Sequence, residues 1–373
     1  MHIPFLRPSI PDHETWTPYL EEVYKRKYFT NFGVLHETLC EKMREKYAYP
    51  GYDVIMSTNA TVAMETVLRT FGAKSTCVVP SFTFPATLHS ALNASLEPVL
   101  CDADPKTWDL SVPHLEDLLE KYDVGAVVGL RPYGFQRDIS DMLKVCRDRN
   151  IPVAIDAAAG LGDVRQQGTI GSEFGQIEVF SLHATKVFAI GEGAAIFAPS
   201  DKIDGIRRAM NFGFQEDRTF IDGGNGKLDE IRCAIGLAML DKIDAEVARR
   251  SAIASRYFET FASAGDLVTL PVDVGPTPWQ AFPLRFRTKE LLGHFESALA
   301  NKGIETRKYY SPSIRQGYAG RFRNSVEREE TPVADDLAQV MLCLPVYGAM
   351  TDEEADYIVT EINKITSDMH AHN

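Results

Sequence analysis

Between Tyr52 and Ala198 the chain repeats one alternation, a short continuous apolar run followed by a stretch of helical periodicity. The runs are DVIMS (53–57), TCVVP (76–80), EPVLCD (97–102), VGAVVGL (124–130), IPVAIDAA (151–158), IEVFSLH (177–183) and GAAIFAP (193–199). Between them ATVAMETVLRTFG (60–72), FPATLHSALNAS (84–95), VPHLEDLLEKY (112–122) and DISDMLKVCRDRN (138–150) carry apolar residues at helical spacing. Strands that are apolar on both faces need cover on both faces. The pattern therefore predicts an α/β fold with a mainly parallel seven-stranded sheet between helices. Ligands of such sheets bind beyond the carboxyl ends of the strands.

After Lys227 the alternation stops. Residues 227–265 are nearly all helical, and beyond them lie one clear strand, AFPLRF (281–286), a helix (289–301), the segment IETRKYY and two more helices. We expect a large domain over residues 1–247 and a smaller C-terminal α+β domain over 248–373. No run approaches the roughly 20 apolar residues of a membrane span, and the start MHIPFLRPSIPDHE has no signal-like apolar core. The net charge of −13, without a basic block, argues against a nucleic-acid or acidic-membrane partner. Six cysteines stand singly, with no CxxC, mostly in apolar runs. They read as buried thiols of a cytoplasmic protein, and no metal site is expected.

Four features fall at strand ends. Asp156 closes an apolar strand, where a carboxylate needs a charged or protonated partner. Lys186 follows the next strand, which leaves a structural ion pair or a cofactor clamp open. Thr58, Asn59 and Thr61 open a helix straight after a strand, an arrangement that caps the helix and also suits an anion. Phe82 and Phe84 follow another strand, as core or as a platform for a flat ring. Together these meet the needs of pyridoxal phosphate: a helix N-terminus for phosphate, a carboxylate for the pyridinium nitrogen, an aromatic for the ring face and a lysine for the aldehyde.

The order of motifs resembles the DegT/DnrJ/EryC1/StrS family of pyridoxal-phosphate sugar aminotransferases, of fold type I, nearly end to end. TNATVAM is similar to the family's SNGTAAL, VAIDAAAGLG to VIEDAAQALG, VFSLHATKVFAIGEGAAIFA to SFHATKNLTTGEGGAVVT, and GGNGKLDEIRCAIGLAML to GYNYRMSEIQAAIGLAQL. The resemblance implies that Lys186 is the Schiff-base lysine and that Asp156 partners the pyridine nitrogen. It implies that Ser181, Ala60 and Thr61 hold the phosphate and that Phe84 stacks on the ring. Asn225 would reach the phosphate of a second subunit, which makes a homodimer with shared active sites the expected form. Glu192 and Gly193 match a structural turn. One departure stands out: where the family carries Gln or His near the ring hydroxyl, this chain has Ala159.

The implied activity is transfer of an amino group from L-glutamate to a nucleotide-linked keto sugar, with a dTDP-4-keto-6-deoxyhexose as first expectation and ping-pong kinetics. A 3-keto, GDP- or UDP-linked sugar or an aminocyclitol precursor are the alternatives. Lys186 argues against the family's dehydratases, which carry histidine there. Retention of Lys186, Asp156 and Ser181 argues against a non-catalytic regulatory protein on the same scaffold. Tyr310, Arg307 and Lys308 are candidates for substrate contact, because a nucleotide diphosphate needs cations. His183 joins them as a histidine already partnered beside the site rather than as a general base.

Overall fold

The computed structural model describes residues 1–72, 75–162, 170–262 and 265–371. Seven strands form one sheet: β1 (Tyr52–Ser57), β2 (Thr76–Pro80), β3 (Glu97–Cys101), β4 (Val124–Leu130), β5 (Val153–Asp156), β6 (Ile177–Ser181) and β7 (Ala194–Pro199). Their spatial order is β1-β7-β6-β5-β4-β2-β3. Pairs among β3, β2, β4, β5 and β6 are parallel, whereas β7 runs antiparallel to both β6 and β1. Six strands thus point one way, and their carboxyl ends share one edge. The side chains are buried on both faces, as the continuous apolar runs require. Val78, Ile155 and Phe180 belong to one apolar layer, Val79, Ala154 and Val179 to the other.

The helices after the strands start where local chemistry dictates. Asn59 caps Ala60–Thr70 by accepting from the Val62 amide at 2.9 Å. Pro85 opens Pro85–Asn93, where its missing N–H removes no helical bond. Asp229 caps the 32-residue helix Glu230–Phe261, accepting from Arg232 at 3.0 Å. That helix, about 48 Å long at 1.5 Å per residue, packs against Val34–Tyr47 and later against Asp352–Ala371. It is the continuous rod between the two apolar cores.

A short exposed hairpin, β8 (Phe214–Gln215) and β9 (Arg218–Thr219), precedes that helix. Beyond it β10 (Val268–Thr269), β11 (Ala281–Phe286) and β12 (Met341–Pro345) make a three-stranded antiparallel sheet. β11 and the helix Lys289–Asn301 occupy the ranges expected from sequence, and β10 and β12 are additional. The start of the chain joins this second unit. Ile3 bridges Ile304, the Phe5 amide donates to Glu305 Oε2 at 3.0 Å, and Ile3 and Phe5 sit in the second core. All six cysteines are free and buried. Among the described residues no helix is long and apolar enough to cross a membrane, and no cluster of metal-ligating side chains occurs.

Candidate active site

A cavity of about 690 Å³ opens at the carboxyl edge of the large sheet and is closed on its far side by the small unit. Strand register places the chemistry. Asp156 ends β5 opposite Leu130 of β4 and Val179 of β6, and Ser181 ends β6. Lys186 lies in the turn between β6 and β7, where its amide donates to the His183 carbonyl at 2.8 Å. The first turn of Ala60–Thr70 enters from the end of β1. Ala60, Thr61, Phe84, Asp156, Ser181, His183, Lys186, Arg307 and Tyr310 all line this one cavity.

Lys186 and Asp156 do not form an ion pair. Lys186 Nζ donates to Gln280 Oε1 at 3.1 Å. Thr87 Oγ1 donates to Asp156 Oδ2 at 2.6 Å, and the Ala158 amide donates to Oδ1 at 3.1 Å. Thr87 in turn is bonded to Thr83 Oγ1 at 2.8 Å; since Thr87 gives its proton to Asp156, Thr83 is the donor in that pair. Burial pushes the Lys186 amine down to about 8, and the Asp156 carboxylate pulls it partly back. The structural ion pair that the sequence left open is therefore absent. What remains is a half-buried amine and a carboxylate, each facing one cavity separately.

The other expectations resolve individually. Phe82 is core at 1% exposure, whereas Phe84 is 56% exposed and lines the cavity, as a ring platform must. Tyr310 stacks on Tyr133, with centroids 5.9 Å apart and planes at 14°, and stands 6.5 Å from Phe84. Burial raises the Tyr310 phenol well above its usual range, and Asp156 adds to that. His183 Nδ1 accepts from the Thr185 amide at 3.1 Å, so its proton sits on Nε2, which faces Glu192 Oε1 at 3.6 Å. Lys308 is not brought to the cavity; its ammonium pairs with Glu296 at 2.6 Å. Asn225 is exposed in the loop beside β1 and does not line the cavity of its own chain. The adjacent Gly226 carbonyl holds that loop by accepting from Thr58 N at 2.8 Å and Ser57 Oγ at 2.9 Å.

Sequence reasoning passed over Thr83, Thr87 and Gln280. The four-residue spacing of the two threonines after β2 left only a faint trace, because Asp156, which they serve, lies 69 residues further on. Gln280 carried none. Because Thr87 supplies a hydrogen bond to a charged group, Thr87→Val is expected to lower turnover by about tenfold, the effect of about 1.4 kcal/mol. Steady-state kinetics on the purified variant, with cofactor content measured alongside, checks this.

The donor set fits pyridoxal phosphate. The cavity joins the first-turn residues Ala60 and Thr61 and the Ser181 hydroxyl for a phosphate, an exposed aromatic for a ring face, a hydrogen-bonded carboxylate for a ring nitrogen, and an amine of lowered basicity for an aldehyde. On the doubly covered, mainly parallel sheet this is the site of a pyridoxal-phosphate-dependent aminotransferase of fold type I. More particularly, the chain belongs to the DegT/DnrJ/EryC1/StrS aminotransferase family, whose model matches residues 12–363. Among curated relatives it is 30% identical to a dTDP-4-amino-4,6-dideoxy-D-glucose transaminase of Shigella dysenteriae, over 96% of this chain and 98% of that one. It is 26% identical to a GDP-perosamine synthase of Escherichia coli O157:H7, over 98% and 99%. A crystal structure of a Bacillus cereus protein assigned as a PLP-dependent aminotransferase superposes with a TM-score of 0.89 at 28% identity, covering 97% of this chain and all of that one.

Proposed function

We propose that this aminotransferase moves an amino group from L-glutamate to a nucleotide-linked keto sugar, with a dTDP-linked 4-keto-6-deoxyhexose as the acceptor. The observation that carries the reading is one cavity lined by Lys186, by Asp156 and by an open cation, Arg307. Arg131, the other lining arginine, is taken up by Glu178 at 3.0 Å and the Arg137 carbonyl at 3.0 Å. Arg307 has no carboxylate within ion-pair distance among the described residues; its guanidinium lies over Phe5 and donates to Tyr309 Oη at 3.4 Å. A diphosphate or a carboxylate suits such a group. The named activities of the Shigella and Escherichia relatives support a nucleotide 4-amino sugar as the product class.

When bound, the cofactor supplies an electron sink for charge on the donor's α carbon. The chain does the rest. The Ala60 and Thr61 amides and Ser181 anchor the phosphate, and Phe84 covers a ring face. Asp156, fixed by Thr87 and the Ala158 amide, holds a proton on the ring nitrogen. Lys186, of lowered basicity, takes a proton at Nζ from the donor's α carbon in the first half of the reaction and delivers one to the aminated sugar carbon in the second. Two substrates using one cavity in turn give ping-pong kinetics.

The active form in this proposal is a cytoplasmic homodimer in which Asn225 enters the partner's cavity. The loop that carries Asn225 lies among exposed apolar side chains, Phe212, Phe214, Phe220 and Ile221, an unusual concentration for a surface that stays in water.

A panel of dTDP-, GDP- and UDP-linked keto sugars with glutamate, followed by mass spectrometry, tests the assignment. Amination of the dTDP-4-keto-6-deoxyhexose above the others is the expected result; amination of none would remove the sugar reading. On the preferred sugar, Arg307→Gln is expected to raise KM by about tenfold, the loss of one charge-assisted contact. Lys308→Gln should leave KM within about twofold, because Lys308 faces Glu296.

A further inference from the structure

Gln280 Oε1, 3.1 Å away, is the acceptor for Lys186 Nζ, and the bond joins the two halves of the molecule. Lys186 follows β6 of the large sheet, whereas Gln280 immediately precedes β11 of the small one. Gln280 is 7% exposed and lines the cavity. Its place is set from behind. Trp279 turns the chain with a left-handed φ of 55°, and its carbonyl accepts from Arg250 Nη1 at 3.2 Å. Arg250 is fully buried between Glu246, at 2.8 Å, and the Val346 carbonyl, at 2.9 Å. The Gln280 NH2 group has no protein partner among the described residues and is not an enclosed orphan, so it is open to the cavity. Ala159, also in the lining, offers only a methyl.

A neutral amine has two N–H donors and one lone pair. An amide oxygen only accepts, so it takes one N–H and turns the lone pair away from itself without competing for the transferred proton. A carboxylate at the same place would hold the lysine charged, and an alkyl group would let it rotate. We propose that Gln280 is the positioning residue for Lys186, an acceptor built on the small sheet that orients the amine for proton transfer. This rests on the aminotransferase assignment above.

The test uses the cofactor-loaded wild-type protein, Gln280→Leu and Gln280→Glu. The pH midpoint of the absorbance of the lysine-linked cofactor is recorded for each, with kcat and KM on the accepted sugar. Loss of an acceptor disfavours the protonated nitrogen, so the leucine variant's midpoint should fall by about half to one pH unit. A carboxylate favours it, so the glutamate variant's midpoint should rise by a similar amount. In the leucine variant kcat should drop by about tenfold with KM within about twofold. Midpoints equal to wild type in both variants, or displaced in the same direction, overturn the proposal. If the leucine protein does not load cofactor, the isosteric glutamate variant decides alone: an upward shift supports the role and no shift refutes it. A wild-type protein that never binds pyridoxal phosphate would instead sink the aminotransferase assignment, which separates the two failures.

Discussion

Lys186→Ala should lower turnover by at least about 10³-fold, within the range that a positioned acid–base group contributes, and leave the fold intact. Borohydride reduction of the wild-type holoenzyme should fix the cofactor's mass on the peptide that contains Lys186. The variant should yield no such peptide. The size of the effect follows from the lysine's surroundings. Burial sets its amine at about 8 instead of 10.5. A larger share of it is then neutral at pH 7 than of an unshifted lysine. The sign follows too: a step that needs the free amine should weaken as pH falls below about 8. Two neighbours in the cavity are not set up to take over the work. His183 has its Nδ1 committed to Thr185, and Tyr310 is driven away from ionisation by burial and by Asp156. Turnover within tenfold of wild type in Lys186→Ala would remove the residue from the chemistry.

The large sheet was legible because its code is redundant. The strands are continuous apolar runs, and most of the helices that follow them start at a polar cap or a proline, Ser140–Arg147 with Ile139 at its N-cap being the exception. Asp156, Ser181 and Lys186 could be placed because a polar residue at the end of such a run can face only the carboxyl edge. The small unit was less legible. β12, MLCLP, directly continues the helix Pro332–Val340, so no turn signal marks the change. The return of Ile3 and Phe5 to a core some 300 residues distant leaves no local trace, because that contact is set by the fold of the whole chain. Thr87 and Gln280 escaped for a similar reason. A hydroxyl on a helix and an amide before a strand acquire their roles from what lies opposite. Lys308 shows the reverse error: a lysine beside an arginine shares its charge, yet one step along an extended chain turns it toward Glu296.

The second large effect concerns the carboxylate. Asp156→Asn is expected to keep the fold and the bound cofactor while lowering kcat by about 10²- to 10³-fold, as loss of one preorganised electrostatic group does. Asparagine matches aspartate in shape, and its oxygen can still accept from Thr87 or from the Ala158 amide, so the packing between β4 and β6 need not change. What disappears is the charge that, in the proposed reaction, would hold a proton on the ring nitrogen. Circular dichroism and cofactor stoichiometry separate that loss from unfolding. The double variant with Thr87→Val then tells what the threonine does. If Thr87 acts through Asp156, by fixing the direction of Oδ2, its roughly tenfold effect should shrink to near nothing once the charge is gone. An undiminished tenfold loss in both backgrounds would mean that Thr87 acts on the reaction by another route. Equal kcat in wild type and Asp156→Asn would mean that the β5 carboxylate, for all its ordered hydrogen bonds, is part of the frame and not of the chemistry.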